Sequence, residues 1–263
     1  DLTSWNNFLA KLKNPKSEVT IGLIGKYVEL QDSYKSILEA FIHAGAANEV
    51  KVKVESIHSE YLQPENIATK LSHLNGVLVA PGFGERGIEG KIEAIRYVRE
   101  QKIPFFGICL GMQMATIEFS RNVLGFTKAN SSEMDPETPD PVIDIMEAQK
   151  KVTEKGGTMR LGAWNCNLLE NTKIASIYKT TSIMERHRHR YEFNNTYKTQ
   201  LENAGMKATG FNPETGLVEV IEIPSHPWFV GVQYHPEYKS TVAKPHPLFL
   251  AFIKAALKHK TKK

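Results

Sequence analysis

Residues 103–113 read Ile-Pro-Phe-Phe-Gly-Ile-Cys-Leu-Gly-Met-Gln, and the other predicted elements are arranged around this segment. Its first six residues are mostly apolar, which predicts a short parallel strand buried on both faces. Glycines stand two positions before and after Cys109, the spacing of a sharp strand-to-helix turn in which the new helix crosses close to the strand. Such a turn places the cysteine at the carboxyl edge of the sheet and at a helix N-terminus, where the thiolate is favoured. We therefore predict that Cys109 is a nucleophile rather than a small buried core residue.

The segments around this stretch alternate between strand and helix patterns. Before it, strand patterns at 19–25, 50–57 and 76–80 alternate with helical patterns at 33–44, 66–74 and 87–101. After a helix predicted for 110–121 come antiparallel strands at 158–169, 186–193, 206–211 and 217–223, a helix at 197–204, a buried strand at 228–234 and a closing helix at 247–259. This order predicts an α/β fold with three layers, in which a doubly wound, mostly parallel central sheet carries an antiparallel extension. Ligands bind such sheets at the carboxyl ends of the strands.

Length and composition favour one large core. The chain has 263 residues, of which 41% are hydrophobic and 24% charged. We predict that residues 1–18 are an arm or interdomain linker, 19–259 the functional domain and 260–263 a basic tail. The net charge of +4 comes partly from that tail, so it does not predict a nucleic-acid partner. Two cysteines make no disulfide framework and no apolar run is long enough to span a membrane, which favours a cytoplasmic location.

A histidine and a glutamate follow the last predicted strand, in the sequence His235-Pro236-Glu237. A thiol nucleophile needs an imidazole to take up and return a proton, and that imidazole needs an acceptor on its other nitrogen. Both groups are available here from one turn stiffened by proline. The alternative is an ordinary surface turn, but the turn and Cys109 both follow strands whose carboxyl ends we expect at the same sheet edge.

Three glycines, Gly82, Gly84 and Gly87, have the spacing G-x-G-x-x-G between a strand and a helix. A dinucleotide-binding turn ranks low, because the motif follows the third strand rather than the first and Pro81 precedes it. The competing interpretation is an oxyanion hole in which the N–H groups of Gly82 and Leu110 point at the oxygen that gains charge. Each such donor is typically worth about 2.7–4 kcal/mol in the transition state. A turn that needs glycine only for its positive φ stays open as a third interpretation.

The basic segment 185–191 alternates, which places three arginines on one face of a strand and two histidines on the other. No stacking aromatics or further basic clusters accompany it, so it does not indicate nucleic-acid binding. His187 and His189 lack an evident third ligand, so we predict no metal site and favour a solvated or salt-bridged strand. An arginine here would suit a carboxylate ligand. Cys166 lacks flanking glycines and is predicted to be structural, whereas residues 130–141 and 150–157 are predicted to be mobile loops and candidates for a lid.

Taken together, these motifs resemble the class I, triad-type glutamine amidotransferases. The Cys109 turn and the His235 turn are similar to the whole class. A narrower resemblance, to the C-terminal glutaminase domains of the CTP synthase family, covers essentially the entire chain. It rests on the sequences at 25–30, 82–87, 157–162, 185–191 and 226–229.

The resemblance implies an activity and assigns roles to eight residues. The implied reaction is hydrolysis of L-glutamine to glutamate and ammonia through a glutamyl thioester. The ammonia would aminate UTP to CTP in a synthetase domain that this chain does not contain, so the chain should not make CTP alone. The implied roles are Cys109 as nucleophile, His235 as base and then acid, Glu237 as its orienting group, Gly82 and Leu110 at the oxyanion and substrate, and Gln113, Glu133 and Arg190 at the amino-acid head of glutamine.

The resemblance also implies cofactors and partners. It implies none for this domain, but ATP, Mg²⁺ and the activator GTP for the full enzyme, with GTP near the Phe83 loop and a lid at 150–160. The full-length enzyme is expected to be a homo-oligomer with no nucleic-acid or membrane partner. One departure is Pro81, which stands where the family commonly has glycine and which stiffens the backbone before Gly82. The alternatives are another class I amidotransferase, a γ-glutamyl hydrolase, or a non-catalytic regulatory or assembly module.

Overall fold

The computed structural model describes residues 1–30, 32–145 and 159–262. Its strands are β1 (Ser17–Gly25), β2 (Val50–His58), β3 (Gly76–Val79), β4 (Phe105–Ile108), β5 (Asn130–Ser131), β6 (Pro141–Ile145), β7 (Arg160–Leu168), β8 (Ser182–His189), β9 (Tyr191–Phe193), β10 (Lys207–Phe211), β11 (Val218–Glu222) and β12 (Phe229–Val232). Its α-helices are α1 (Thr3–Lys13), α2 (Lys35–Ala47), α3 (Ile67–Leu71), α4 (Ile88–Glu100), α5 (Leu110–Asn122), α6 (Lys173–Tyr178), α7 (Lys198–Ala204) and α8 (Pro247–Lys260).

One nine-stranded sheet organises the domain, in the order β2-β1-β3-β4-β12-β11-β10-β7-β8. The strands from β2 to β12 in this order run parallel to one another. The strands from β12 to β8 pair antiparallel. The predicted parallel sheet with an antiparallel extension is thus confirmed, and β4 lies between β3 and β12.

Helices cover both faces of the parallel half and enclose two hydrophobic cores. On one face, α4 and α5 bury residues such as Ile92, Ile95 and Met114. On the other face, α2 and α8 pack Phe41 and Phe252 against the sheet. Because both faces are covered, the central strands are apolar throughout, as the short run before Cys109 predicted.

The helix α2 extends further than the sequence predicted. We expected it to end before Gly45, but it continues to Ala47. The glycine serves packing rather than termination, because a Cβ at Gly45 would lie 2.7 Å from the carbonyl oxygen of Val50. The helix therefore approaches the start of β2 more closely than any residue other than glycine at position 45 would allow.

Three features between 122 and 206 were not predicted. The helix α6 follows β7, with Thr172 as its N-cap. The segment 130–141 was predicted as a mobile loop, but it begins with β5 and ends at the first residue of β6. These two strands form a three-stranded sheet with β9, in the order β5-β6-β9. The strand expected at 186–193 is divided between this sheet and the large one. The lid expected at 150–157 lies outside the described residues.

The N-terminal arm is helical, which the sequence did not predict. No residue of α1 is buried, and its Phe8 ring lies 6.4 Å from the His43 ring of α2. The helix therefore lies on the outside of the α2 layer. The domain boundaries at 18 and 259 stay predictions.

Candidate active site

The turn at Cys109 has the strained geometry expected of a nucleophile elbow. Cys109 adopts φ 52° and ψ −105° between β4 and α5, a backbone conformation that residues other than glycine rarely adopt. A Cβ at Gly111 would lie 2.3 Å from the carbonyl oxygen of Val79, and one at Gly107 would lie 2.7 Å from the carbonyl oxygen of Gly111. Both flanking glycines are therefore required because α5 crosses directly over the ends of β3 and β4.

Three strand ends meet around this elbow. Since β4 pairs with β3 on one side and β12 on the other, the loops that follow these strands are neighbours. The Cys109 N–H donates to the carbonyl oxygen of Val232 at 2.7 Å, which links the elbow to the chain that continues into His235. The sheet thus brings the glycine loop, the cysteine and the histidine turn to one edge.

His235 and Glu237 form a buried pair. The His235 Nδ1 lies 2.7 Å from Oε1 of Glu237, and both residues are at most 5% exposed. The backbone N–H of His235 donates to the carbonyl oxygen of Arg186 at 2.8 Å. The imidazole stacks on the Tyr238 ring, with 5.0 Å between the ring centroids. Backbone and ring contacts therefore fix the orientation of this imidazole.

The electrostatics of His235 favour its protonated form. Burial lowers the pKa of His235, but its interaction with the Cys109 thiol and the hydrogen bond and charge of Glu237 outweigh burial and hold this pKa well above its ordinary value. The other ring nitrogen, Nε2, is buried without a hydrogen-bond partner among the described residues. An imidazolium next to a cysteine favours the thiolate.

Cys109 itself is buried and touched by a residue that the sequence analysis missed. The Gln233 Nε2 lies 3.6 Å from the Cys109 Sγ. The Gln233 Oε1 in turn accepts a hydrogen bond from Nε2 of Gln113 at 3.2 Å, and the same Gln113 nitrogen donates to the carbonyl oxygen of Tyr191 at 2.9 Å. A polar residue directly after the buried β12 was the signal that would have indicated it.

A cavity of about 360 Å³ opens onto the Cys109 side chain. This volume is within the usual range for small-molecule sites. Five of the eight candidate residues line it, namely Gly82, Cys109, Gln113, Glu133 and Arg190. Leu110 lies beside the cavity, because its Cδ2 is 3.5 Å from where a Cβ of Gly82 would be. The structure therefore gathers the candidate residues around one space.

Two residues of opposite charge line this cavity, Glu133 and Arg190. The Glu133 Oε1 accepts a hydrogen bond from the Gly84 N–H at 3.2 Å, which ties it to the glycine loop. Both charges act on Tyr191: burial raises the pKa of Tyr191, Glu133 raises it further and Arg190 opposes the rise. A ligand with one ammonium and one carboxylate group matches this pair of charges.

The glycine loop requires positive φ at two of its three glycines, and its role as an oxyanion hole stays a prediction. Gly84 and Gly87 both have φ of +74°, so the turn itself requires them. Gly82 has no positive φ, which leaves its N–H as a candidate donor to an oxyanion. A Cβ at Gly87, the N-cap of α4, would lie 2.2 Å from the Ser59 Oγ, so neighbouring chain covers this helix N-terminus. That packing argues against a phosphate-binding turn.

Comparison with known proteins identifies the family. The family model described as glutamine amidotransferase class-I matches residues 29–255. The chain belongs to the class-I glutamine amidotransferases.

The chain is much more similar to CTP synthases than to other class-I glutamine amidotransferases. The CTP synthase of Christiangramia forsetii is 71% identical over 262 residues, a match that covers all of this chain and 48% of that protein. A solved structure of the Trypanosoma brucei CTPS glutaminase domain with bound acivicin superposes with a TM-score of 0.86 at 39% identity, covering 91% of this chain and 94% of that one. The amidotransferase domain therefore falls among the CTP synthase glutaminase domains, and it spans about half the length of the curated relatives it matches.

A more distant structure shares the fold alone. A glutamine amidotransferase of Thermotoga maritima superposes with a TM-score of 0.52 at 12% identity, covering 93% of this chain and 99% of that one. The three-layer architecture thus extends beyond the CTP synthase branch.

The two histidines of β8 belong to a buried charged cluster beside the amidotransferase site. His187 and His189 are buried while Arg186 and Arg188 on the same strand are exposed, so the predicted alternation is confirmed but the histidine face is not solvated. The rings contact through His187 Nδ1 and His189 Nε2 at 2.8 Å. Burial lowers the pKa of both histidines, that of His189 to about 3. Among the residues that the structure describes, no group of three or more His, Cys, Asp or Glu side chains is arranged so that it could bind a metal ion.

Arg160 belongs to the same buried cluster. This position corrects the prediction that it is the last residue of a lid at 150–160. The Arg160 guanidinium donates to Glu219 and lies 3.6 Å from Glu192, and all three residues are buried. Arg160 is thus a core residue at the start of β7 rather than part of a lid over a nucleotide. Residues 146–158 lie outside the described residues, so the predicted GTP position remains a prediction.

A larger cavity, of about 790 Å³, lies against β2 at the edge of the sheet. Its lining includes Glu55, His58 and Tyr61 but none of the candidate site residues. Size alone indicates this larger cavity, whereas the chemistry of the elbow indicates the smaller one. Within the described ranges, no helix is long and apolar enough to cross a membrane.

Proposed function

We propose that this domain hydrolyses L-glutamine with Cys109, His235 and Glu237 as its catalytic triad. The observation that carries the proposal is the buried His235–Glu237 pair beside a cysteine on a strained elbow. Gly82 and Leu110 are the proposed oxyanion donors, because Leu110 opens α5, where N–H groups have no intrahelical acceptor, and Gly82 adjoins it. Gln113, Glu133 and Arg190 are proposed to hold the substrate.

The proposed reaction has two halves. In the first, the Cys109 thiolate attacks the side-chain amide carbon of glutamine, and the amide oxygen takes the negative charge. When the tetrahedral intermediate collapses, the C–N bond breaks and His235 gives its proton to the departing ammonia. In the second, His235 takes a proton from water, the hydroxide attacks the glutamyl thioester and the C–S bond breaks. Glutamate leaves and the thiolate is restored, so no oxidant or reductant is required.

Substrate recognition is proposed to depend on Glu133 and Arg190, two of the three charged residues that line the cavity, the third being Arg188. Arg190 presents a planar guanidinium suited to the α-carboxylate of glutamine, and Glu133 suits the α-ammonium group. Gln113 is proposed to contact the substrate through the rest of its amide, since its nitrogen already donates to Tyr191 and Gln233. The Glu133 bond to the Gly84 N–H would couple substrate binding to the glycine loop.

Two measurements test the triad. Glutamate release is expected from this chain and not from Cys109→Ala, and a glutamine-mimicking electrophile is expected to label Cys109 covalently. The matched control is Cys166→Ala, which removes the other buried thiol and should keep both activities. Equal glutamate release by the parent chain and Cys109→Ala would contradict the nucleophile assignment.

We further propose that the ammonia serves the amination of UTP to CTP in a synthetase domain of a longer polypeptide. The support is the similarity to CTP synthases, which extends along the whole of this chain. The matched region is about half the length of those relatives. ATP and Mg²⁺ would act in that other domain, and GTP would act as activator. The same proposal includes a homo-oligomeric full-length enzyme in the cytoplasm.

The full-length protein provides a sharp test of this second step. Cys109→Ala in the full-length polypeptide is expected to abolish CTP formation from glutamine and to leave CTP formation from added ammonia intact. Glutamine-dependent CTP formation by that variant would contradict the proposal. A parent protein that releases glutamate but makes no CTP from UTP, ATP and ammonia would point to another class-I amidotransferase.

A further inference from the structure

Lys91 is a lysine in an unusual position. It lies on α4, is 0% exposed, and its Nζ has no hydrogen-bond partner among the described residues. Burying an ammonium group without a partner is strongly unfavourable. The same helix shows the ordinary solution: Arg99 donates to the carboxylate of the fully buried Glu118 at 2.8 and 2.9 Å. A structural role alone therefore does not explain Lys91.

The Lys91 amine lies beneath the candidate oxyanion loop. A Cβ at Gly82 would be 3.8 Å from the Lys91 Nζ and 3.5 Å from the Leu110 Cδ2. The amine thus lies next to Gly82, one of the two proposed oxyanion donors. Gly82 and Cys109 line the substrate cavity, whereas Lys91 is buried behind that lining.

Two other titratable groups act on this amine. Lys26, which follows β1, donates its Nζ to the carbonyl oxygen of Phe83 and so has an acceptor within the loop. Cys109, the N-cap of α5, is the other group. Burial and then the charge of Lys26 lower the pKa of Lys91 to about 7, while the charge of Cys109 acts in the opposite direction.

We propose that Lys91 is a positioning residue whose positive charge, held without a partner beneath Gly82, favours the thiolate of Cys109 and the negative charge that develops at the oxyanion loop. The oxyanion part of this inference rests on the proposed function, whereas the thiolate part does not. Lys91 touches neither substrate nor reacting atoms, and it acts only through the electrostatic potential at Cys109 and at the oxyanion loop. A neighbouring cation lowers the pKa of a thiol in this way.

The closing experiment measures Cys109 ionisation without glutamine. The alkylation rate of Cys109 by iodoacetamide is followed against pH in the parent chain and in Lys91→Met, with modified peptides separated by mass so that Cys166 is counted apart. Loss of the cation is expected to slow alkylation of Cys109 near pH 7 about tenfold. The matched control is Lys254→Met, which removes an exposed lysine from α8 and should leave the profile unchanged.

Stability separates this role from a packing role. Methionine has a similar length and no charge, so Lys91→Met is expected to unfold at the same or a higher temperature than the parent chain, with Cys166 still protected from alkylation. Superposable alkylation profiles for Lys91→Met and the parent would overturn the proposal. If the methionine variant fails to fold, Lys91→Gln takes its place with the same expected shift. A shifted profile in a chain that releases no glutamate would uphold this inference and contradict the proposed function.

Discussion

The His235 Nδ1 lies 2.7 Å from the Glu237 Oε1, and both side chains are buried beside Cys109. A carboxylate at this distance fixes the tautomer and stabilises the imidazolium that forms when the cysteine loses its proton. Because the two residues are separated only by Pro236 on one short turn, their contact is local. The position of this pair beside Cys109, in contrast, requires the pairing of β4 and β12.

Glu237→Gln is expected to lower kcat about 10²- to 10⁴-fold while the chain still folds. The alkaline limb of kcat/KM against pH should also move to lower pH, because the charge of Glu237 helps to hold the His235 pKa up. A pH series of glutamate release checks both effects. Glu214→Gln, on an exposed turn, is the control. An unmoved alkaline limb in Glu237→Gln would count against the orienting role.

Arg190→Ala is expected to raise the KM for glutamine by roughly 10- to 100-fold with a smaller change in kcat, because the variant loses a charge-assisted bond to the substrate carboxylate. Steady-state kinetics of glutamate release measure both constants. Arg186→Ala is the matched control, since Arg186 is an exposed arginine on β8 that does not line the cavity. Equal KM values in the two variants would remove Arg190 from the substrate site.

Gly111→Ala is expected to destabilise the protein by about 1–3 kcal/mol or more and to abolish activity. The added Cβ would meet the Val79 carbonyl oxygen at 2.3 Å, so α5 would have to move away from β3 and displace Cys109. The control is Gly125→Ala, where φ is +77° but nothing lies within 4 Å of the added Cβ. That control should lose only about 1 kcal/mol and keep its activity. Urea unfolding and glutamate release measure the two effects, and a fully active Gly111→Ala would disprove the steric argument.

Glu192→Gln is expected to change how stability depends on pH. Burial raises the pKa of Glu192 to about 8, Arg160 opposes the rise and Glu219 adds to it. Between about pH 4.5 and 8 the folded state therefore keeps a proton that the unfolded state releases, so stability falls as pH rises through this window. The glutamine variant cannot titrate and should lack this loss, which is on the order of a few kcal/mol. Unfolding free energies at several pH values test this.

The control for that experiment is Glu202→Gln, which removes a partly exposed carboxylate that pairs with Lys198 on α7. An exposed pair of this kind contributes about 0.2–1 kcal/mol at most, so its variant should follow the pH dependence of the parent chain. If the curve for Glu192→Gln also runs parallel to the parent curve, the buried carboxyl does not titrate in this range.

Several elements could be predicted because they depend on local chemistry. The elbow was visible from the glycines around Cys109, and the histidine pair from the proline turn after an apolar strand. Prediction failed where packing decided instead. Gly45 was expected to end a helix but permits contact with Val50, and α6 was missed because its buried residues, Ile174 and Ala175, are too few to make a stripe.

The buried charges were the least predictable part of the site. Lys91 and Arg160 belong to residue types that are mostly exposed, and sequence periodicity does not reveal which polar residues a sheet will bury. Gln233 was similarly overlooked, although its amide contacts the Cys109 thiol. Their positions follow from neighbours that lie far away in the chain, so only three-dimensional contacts identify them.

Local patterns were enough to predict the strained turn at Cys109 and the pairing of His235 with Glu237, because each depends on sterics and hydrogen bonds within a few residues, and the alternation of strand and helix patterns was enough to predict the α/β class. That these groups lie around one cavity was established by the three-dimensional arrangement of the strands. The order β3-β4-β12 places Cys109 between the glycine loop and His235, and this order results from the burial of two helical layers on a common sheet. That burial is a property of the whole chain, which no local pattern specifies.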